Sequence, residues 1–153
     1  NVLDLQKKIR SLPKPVVAVV NGDAVASGGA FVAVADYAIS VPDAKIGSYE
    51  VSVGVWPIVA QVPLIKRLGA RAAIQNIASG EPFTADQAVS VGLLNEIGSA
   101  DQVDALASEW LNKASRAGKT MASGRPSVYQ LEQLNLSDGL DAAFKLLSQA
   151  YEK

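Results

Sequence analysis

The sequence contains no cysteine and no histidine. Without cysteine no disulfide can form, and nothing marks the chain as secreted. Without either residue, Ser-His-Asp and Cys-His nucleophilic catalysis cannot be assembled within the chain, and a metal site of the zinc type is not expected. Charge is also sparse. Charged residues make up 19% of the chain, and 14 Lys and Arg stand against 15 Asp and Glu. That balance gives no basic footprint for nucleic acid. A long unbroken apolar run is missing as well. The most apolar stretch, Pro15 to Pro42, is interrupted by Asn21, Asp23 and Asp36, so no membrane span is expected. No signal-peptide pattern opens the chain, and a cytoplasmic location is the expectation. The groups left for chemistry are carboxylates, Lys, Tyr, Ser and Thr hydroxyls, Arg and backbone amides.

What is present is apolar. Hydrophobic residues form 49% of the 153 residues, with a mean hydropathy of +0.18. One domain of this size buries a good core. The apolar excess implies further surface buried against a subunit or against a missing piece of the same fold. A start at Asn1 rather than Met, inside a helical pattern, reads as a fragment start.

Val2, Leu5, Ile9 and Leu12 form one helical stripe, ended by Pro13 and Pro15. Val16 to Val20 is a β-branched run bounded by Pro15 and Gly22, the pattern of a strand in a parallel sheet covered on both faces. Ser27-Gly28-Gly29 follows, then the apolar stretch Ala30 to Ala35, a short buried helix that Ser27 would cap. Tyr37 to Val41 reads as a second strand, and Lys45 to Ser52 as short extended pieces. Strand, Gly-rich turn, buried helix and strand make a βαβ-like unit. Helices are then expected over 59–68, with Pro63 kinking it or marking a new first turn and Gly69 as its stop, and over 70–79, closed by Gly80. Capping boxes at Thr84-x-x-Gln87 and Ser99-x-x-Gln102 open two more. Gly92 stops the first, and a strand is expected over 93–97. The helix after Ser99 carries Val103, Leu106, Ala107, Trp110, Leu111 and Ala114 on one face and ends at Gly118. After a Ser123-Gly124 joint, helices near 126–134 and 138–152 complete the chain. The last shows Leu140, Phe144, Leu147 and Tyr151 on one stripe.

Several features could carry chemistry. The start of the Ser27 helix leaves unpaired amides that can hold an anion or a developing oxyanion. Equally, Gly28 and Gly29 could serve only tight helix–strand packing. The spacing is neither a dinucleotide fingerprint nor a P-loop. Glu50 sits among apolar and small residues in Gly47-Ser48-Tyr49-Glu50-Val51-Ser52-Val53-Gly54. Such a carboxylate can act as acid or base, or simply face solvent from a strand edge. Asp23 reads as turn support, and Asp36 as a structural partner for an amide or a cation. Trp56 reads as a core residue or, with Pro57, as the lining of a hydrophobic pocket. Lys66, Arg67 and Arg71 read as a solvated helix face.

Taken in order, four stretches resemble the crotonase family, the enoyl-CoA hydratase/isomerase superfamily. They are Lys14 to Gly22, Ala24 to Gly29, Ala44 to Gly54, and Ser79 to Glu96. The resemblance covers essentially the whole chain. It implies an α/β fold: a partial ββα spiral over residues 1–98, followed by a mostly helical C-terminal region over 99–153. It implies acyl-CoA as substrate, with no cofactor beyond that coenzyme A, and assembly as a trimer or hexamer.

The resemblance also assigns roles. In the family two backbone amides polarise the thioester carbonyl and stabilise an enolate, and glutamates move protons or activate water. The second oxyanion amide falls on Ser27, with Gly28 beside it. The first hydratase glutamate falls on Ala30, which can do no acid–base work, and the second falls on Glu50. The chain therefore resembles a one-glutamate member, either catalytic or a non-catalytic acyl-CoA-binding or structural homologue. Ala30, Trp56 and Pro57 are the expected acyl-pocket positions. Where the family has a Gly-rich segment after Gly54, this chain has Trp56-Pro57-Ile58-Val59-Ala60. The family's members are longer, so the N-terminal half of the fold and the first oxyanion amide are expected outside these residues or on a complementary chain.

Overall fold

The computed structural model describes residues 1–151. Helix α1 (Val2–Ser11) opens on a capping box between Asn1 and Asp4. Strand β1 (Val17–Val20) leads to the two-residue β2 (Ala24–Val25), the buried helix α2 (Ser27–Val34), β3 (Tyr37–Ser40) and β4 (Lys45–Gly47). A single 3-10 turn over Glu50–Val53 precedes the long helix α3 (Gln61–Ser79). The chain continues through β5 (Phe83–Thr84), α4 (Ala85–Ser90), β6 (Glu96–Ile97) and α5 (Val103–Ser115), and ends on α6 (Met121–Leu131) and α7 (Leu136–Tyr151).

Two small sheets carry the order. One runs β1-β3-β6, all parallel, with Val17 opposite Tyr37 and Ile39 opposite Glu96. The other runs β2-β4-β5, with β2 parallel to β4 and β5 antiparallel to it. The period of two along a strand sorts the first sheet's side chains. Val17, Val19, Tyr37 and Ile39 meet Val103, Leu106 and Ala107 of α5. Ala18, Val20 and Ala38 face the main core with Val32, Ala33, Ile46, Leu64 and Ile77. The expected two-sided covering of β1 is therefore present. Its outer edge has no partner strand among the described residues, so Val17 to Val19 remain only half-buried.

Helix α2 is apolar all round, as a helix enclosed by other elements must be. It packs against α3, β2 and β4. Its C-terminal carbonyls are capped by Arg67, whose Nε donates to Ala33 O at 3.0 Å and Nη2 to Ala35 O at 2.5 Å. This corrects the reading of Lys66, Arg67 and Arg71 as one solvated face. Consecutive helical residues point about 100° apart, so Arg67 turns inward toward the negative end of α2. Asp36 behaves as expected. Its Oδ2 accepts from Val16 N at 2.7 Å and from Arg125 Nε at 2.7 Å, and its Oδ1 from the Tyr129 hydroxyl.

The break expected at Gly69 is present: at φ 76° and ψ 160° it is non-helical and divides α3 into two helical segments across a kink. Other expectations are corrected. Only Glu96–Ile97 is strand. Leu93 and Leu94 instead turn back to donate both amides to Ala88 O, which buries their side chains under α4. The Thr84–Gln87 capping box is complete. The Ser99–Gln102 one is not: the Ser99 hydroxyl is taken by Asp101 at 2.5 Å, and α5 begins at Val103. That helix stops at Ser115, before Gly118. Ser123-Gly124 lies inside α6 rather than between helices, because Arg125 anchors that helix to Asp36 and to the carbonyls of Arg10 and Leu12. The side chain of Tyr151 and residue 152, to which the last expected helix reaches, lie outside the described residues.

Candidate active site

Two short parallel strands bring the two principal sequence-derived candidates together. Strands β2 and β4 run side by side with Val25 opposite Gly47. The chain leaves β2 into Ala26-Ser27-Gly28 and leaves β4 into Ser48-Tyr49-Glu50. Both groups therefore sit beyond the carboxyl ends of neighbouring parallel strands, where α/β folds commonly build their sites. Gly47 clamps the two segments. Its carbonyl accepts from Ala26 N at 2.9 Å, and α2 lies so close that a Cβ on Gly29 would stand 2.8 Å from the same oxygen.

Ser27 does not cap α2, contrary to expectation. The cap is Ala26, at φ 54° and ψ −122°, and no side chain satisfies the helix start. The first helical bond is Ala30 N to Ala26 O. The amides of Ser27, Gly28 and Gly29 therefore have no hydrogen-bond partner among the described residues. Ser27 is exposed and Gly28 half-buried. The two glycines divide the two readings made of them. Gly29 is required for packing, whereas a Cβ on Gly28 would meet only Ala24 Cβ at 3.7 Å, an ordinary contact.

Glu50 is half-buried at the first position of the 3-10 turn, so the segment over 45–52 is only partly extended. Its Oε2 accepts from the Ser48 hydroxyl at 2.5 Å and from Tyr49 N at 3.0 Å. Neither hydrogen bond involves Oε1. The Tyr49 carbonyl accepts from Ser52 Oγ at 2.6 Å, which closes the turn behind the amide donor. Ser48 is fully buried and its backbone is paired with the buried Asn76.

Sequence reasoning missed Ser48, Asn76 and the strained Ala26. For Asn76 a signal existed: a polar residue on the α3 stripe that carries Ala73 and Ile77 into the core. Ala26 gives none, because only glycine announces a positive φ in sequence.

The remaining candidates are placed as follows. Ala30 is fully buried in α2. Trp56 is 44% exposed, not a core residue; its Nε1 donates to Gln61 Oε1 at 3.1 Å across the start of α3. Pro57 is buried. Asp23 accepts from Lys45 N at 2.9 Å and ties the turn after β1 to β4. The largest of the described cavities, about 540 Å³, is elsewhere. It lies between α1, the start of α3 and α6, with Leu3, Arg10, Ile58, Val59, Val62 and Tyr129 among its walls. Neither Ser27 nor Glu50 lines it. The unpaired amides of α2 and the held Glu50 carboxylate belong instead to the two segments that leave the paired strands β2 and β4.

No helix among the described residues is long and apolar enough to cross a membrane.

The family model described as Enoyl-CoA hydratase/isomerase matches residues 1–151. An enoyl-CoA hydratase from Mycobacterium smegmatis superposes with a TM-score of 0.91 at 26% identity, covering 97% of this chain and 58% of that one. The human enoyl Coenzyme A hydratase domain-containing protein 3 gives a TM-score of 0.85 at 26% identity, again covering 97% and 58%. An enoyl-CoA hydratase/isomerase family protein from Silicibacter pomeroyi shares the fold, with a TM-score of 0.89 at 22% identity over 99% and 66% of the two chains. The chain thus spans about 58% of the length of the first of these relatives. On the match over residues 1–151, the chain belongs to the enoyl-CoA hydratase/isomerase family, the crotonases.

Proposed function

We propose that this chain supplies the acid–base half of an acyl-CoA hydratase or isomerase site, with Glu50 as its one carboxylate and the Ser27 amide as one donor of the oxyanion hole. The observation that carries the reading is the junction at Gly47, where the segment bearing the unpaired amides of α2 and the segment bearing the held carboxylate leave the paired strands β2 and β4. The thioester carbonyl oxygen would accept from Ser27 N–H, with Gly28 leaving room for its approach. For isomerisation, Glu50 takes a proton from a carbon next to the conjugated system. The C–H electron pair moves toward the thioester oxygen, and the same proton returns at the other end. For hydration, Glu50 takes a proton from water as the water oxygen bonds to the β-carbon, and then gives it to the α-carbon. Both routes pass through an enolate whose charge faces preorganised amides. Ala30 removes a second carboxylate, so all proton traffic falls to Glu50. A cytoplasmic trimer or hexamer, in which another segment or chain completes the oxyanion hole, is part of the same reading.

Ala30 also supports a second reading, an acyl-CoA-binding homologue without turnover. Calorimetry with acyl-CoA thioesters, alongside mass spectrometry of the products, separates the two. Binding with turnover that Glu50→Gln abolishes supports the enzyme. Binding with no product from any enoyl-CoA supports the binder and rules out the first reading.

A further inference from the structure

The Glu50 carboxylate is held by a chain of contacts that begins inside the core. Asn76 is 2% exposed on α3. Its Oδ1 accepts from Ser48 N at 2.8 Å, and its Nδ2 donates to Ser48 O at 2.9 Å and to Glu81 O at 2.8 Å. The amide has therefore used both its protons and its oxygen, as a buried amide should. It stands so close to β4 that a Cβ on Gly47 would lie 2.7 Å from Oδ1. Gly47, Ser48 and Asn76 are thus interlocked, and the Ser48 backbone has little freedom. The Ser48 hydroxyl, with 0% residue exposure, points out of this lock to Glu50 Oε2 at 2.5 Å. A Glu that merely faced water would be free to rotate; pinning it forfeits side-chain entropy. Here the constraint comes from a fully buried donor.

We propose that Ser48, anchored by Asn76, is a positioning residue for Glu50, engaging Oε2 so that Oε1 is the oxygen that exchanges protons with the acyl thioester. This rests on the reading of Glu50 as the acid–base group. One consequence is that the proton is taken up and returned by a single oxygen, on one face of the acyl chain.

The test uses the complete protein and butyryl-CoA in deuterium oxide, with exchange of the α-protons followed by NMR. Ser48→Ala deletes one oxygen atom. It is expected to lower kcat for exchange ~10–100-fold, the usual scale for a misplaced catalytic group. KM and the melting temperature should stay close to wild type. Ser48→Thr and Ser48→Cys, which return a donor, should recover part of the loss; two variants guard against one failing to fold. If Glu50→Gln abolishes exchange while folded Ser48→Ala keeps wild-type kcat, the Ser48 proposal alone is overturned. If the wild type shows no exchange, or Glu50→Gln leaves it unchanged, the acid–base reading fails and the Ser48 proposal with it.

Discussion

A methyl group on Gly29 would press against the Gly47 backbone at 2.8 Å, whereas the same group on Gly28 would make an ordinary contact. Overpacking against backbone cannot relax by rotating a side chain. Gly29→Ala should therefore destabilise by about 1–3 kcal/mol, and Gly28→Ala should stay within about 1 kcal/mol of wild type, both read by urea denaturation. If the amide at this turn binds the thioester oxygen, Gly28→Ala should still weaken acyl-CoA binding by crowding the approach, and calorimetry would show it. Ala26 carries the opposite signature. Its φ of 54° is strained for any residue with a Cβ. Ala26→Gly is expected to stabilise by about 1 kcal/mol, the strain released less the added chain entropy. These distinctions were partly legible. The sequence pattern marked Ser27-Gly28-Gly29 as a special turn, but two adjacent glycines look alike until the approach of β4 to α2 separates them.

At the level of elements, α6 depends on one buried ion pair. Arg125 and Asp36 have side chains only 5% and 12% exposed, and the Arg125 guanidinium also holds the carbonyls of Arg10 and Leu12. Arg125→Met would strand the carboxylate and is expected to cost about 3–5 kcal/mol. Limited proteolysis should then cut within α6 before it cuts the sheets. Tyr129, stacked under Arg10 at 4.1 Å, has its phenol pushed above the usual 10.0, first by burial, then by its hydrogen bond to Asp36 and the charge there; Arg10 and Arg125 oppose the shift. Tyr37 is raised likewise, by burial first and then by Glu96. In both, the fold favours the neutral phenol. Their contribution is complete below pH ~10 and is lost as pH rises through the folded values. Stability measured from pH 8 to pH 11.5 should fall above pH ~10, and Tyr129→Phe should flatten that fall. Elements defined by local signals were readable in advance: α1 from its stripe, α4 from its capping box and its stop at Gly92, α5 from its apolar face. The start of α6 was not, because its anchor lies 89 residues away at Asp36 and tertiary contact overrode the Ser123-Gly124 break.

Across the described residues, many large apolar side chains are left uncovered. Leu136, Leu140, Phe144 and Leu147 on α7 are 53–80% exposed, and Val53 in the turn after Glu50 and Ile58 in the wall of the large cavity exceed 60%. Exposed apolar area is a place where protein, membrane or ligand contacts are commonly made. The high apolar fraction of the sequence pointed to that, though not to which faces. Paired substitutions Leu140→Glu and Phe144→Glu in the complete protein should lower its assembled mass by light scattering. The same charges should leave the Gly47 junction intact, because α7 packs on α6. The family was legible from four ordered stretches, and two of them, Ala24 to Gly29 and Ala44 to Gly54, are the segments that make this junction. The hold on Glu50 was not, because its donor Ser48 is fixed by Asn76, which reaches the Ser48 backbone from a helix 28 residues further on. The central claim is that an enolate forms here against a backbone donor with one carboxylate moving the proton. It is tested most directly by α-proton exchange of butyryl-CoA in deuterium oxide, compared between wild type and Glu50→Gln. The expected result is exchange in the wild type and a fall of about 10²–10⁴-fold in the variant, with thioester binding retained. Equal exchange rates in the two proteins would contradict it.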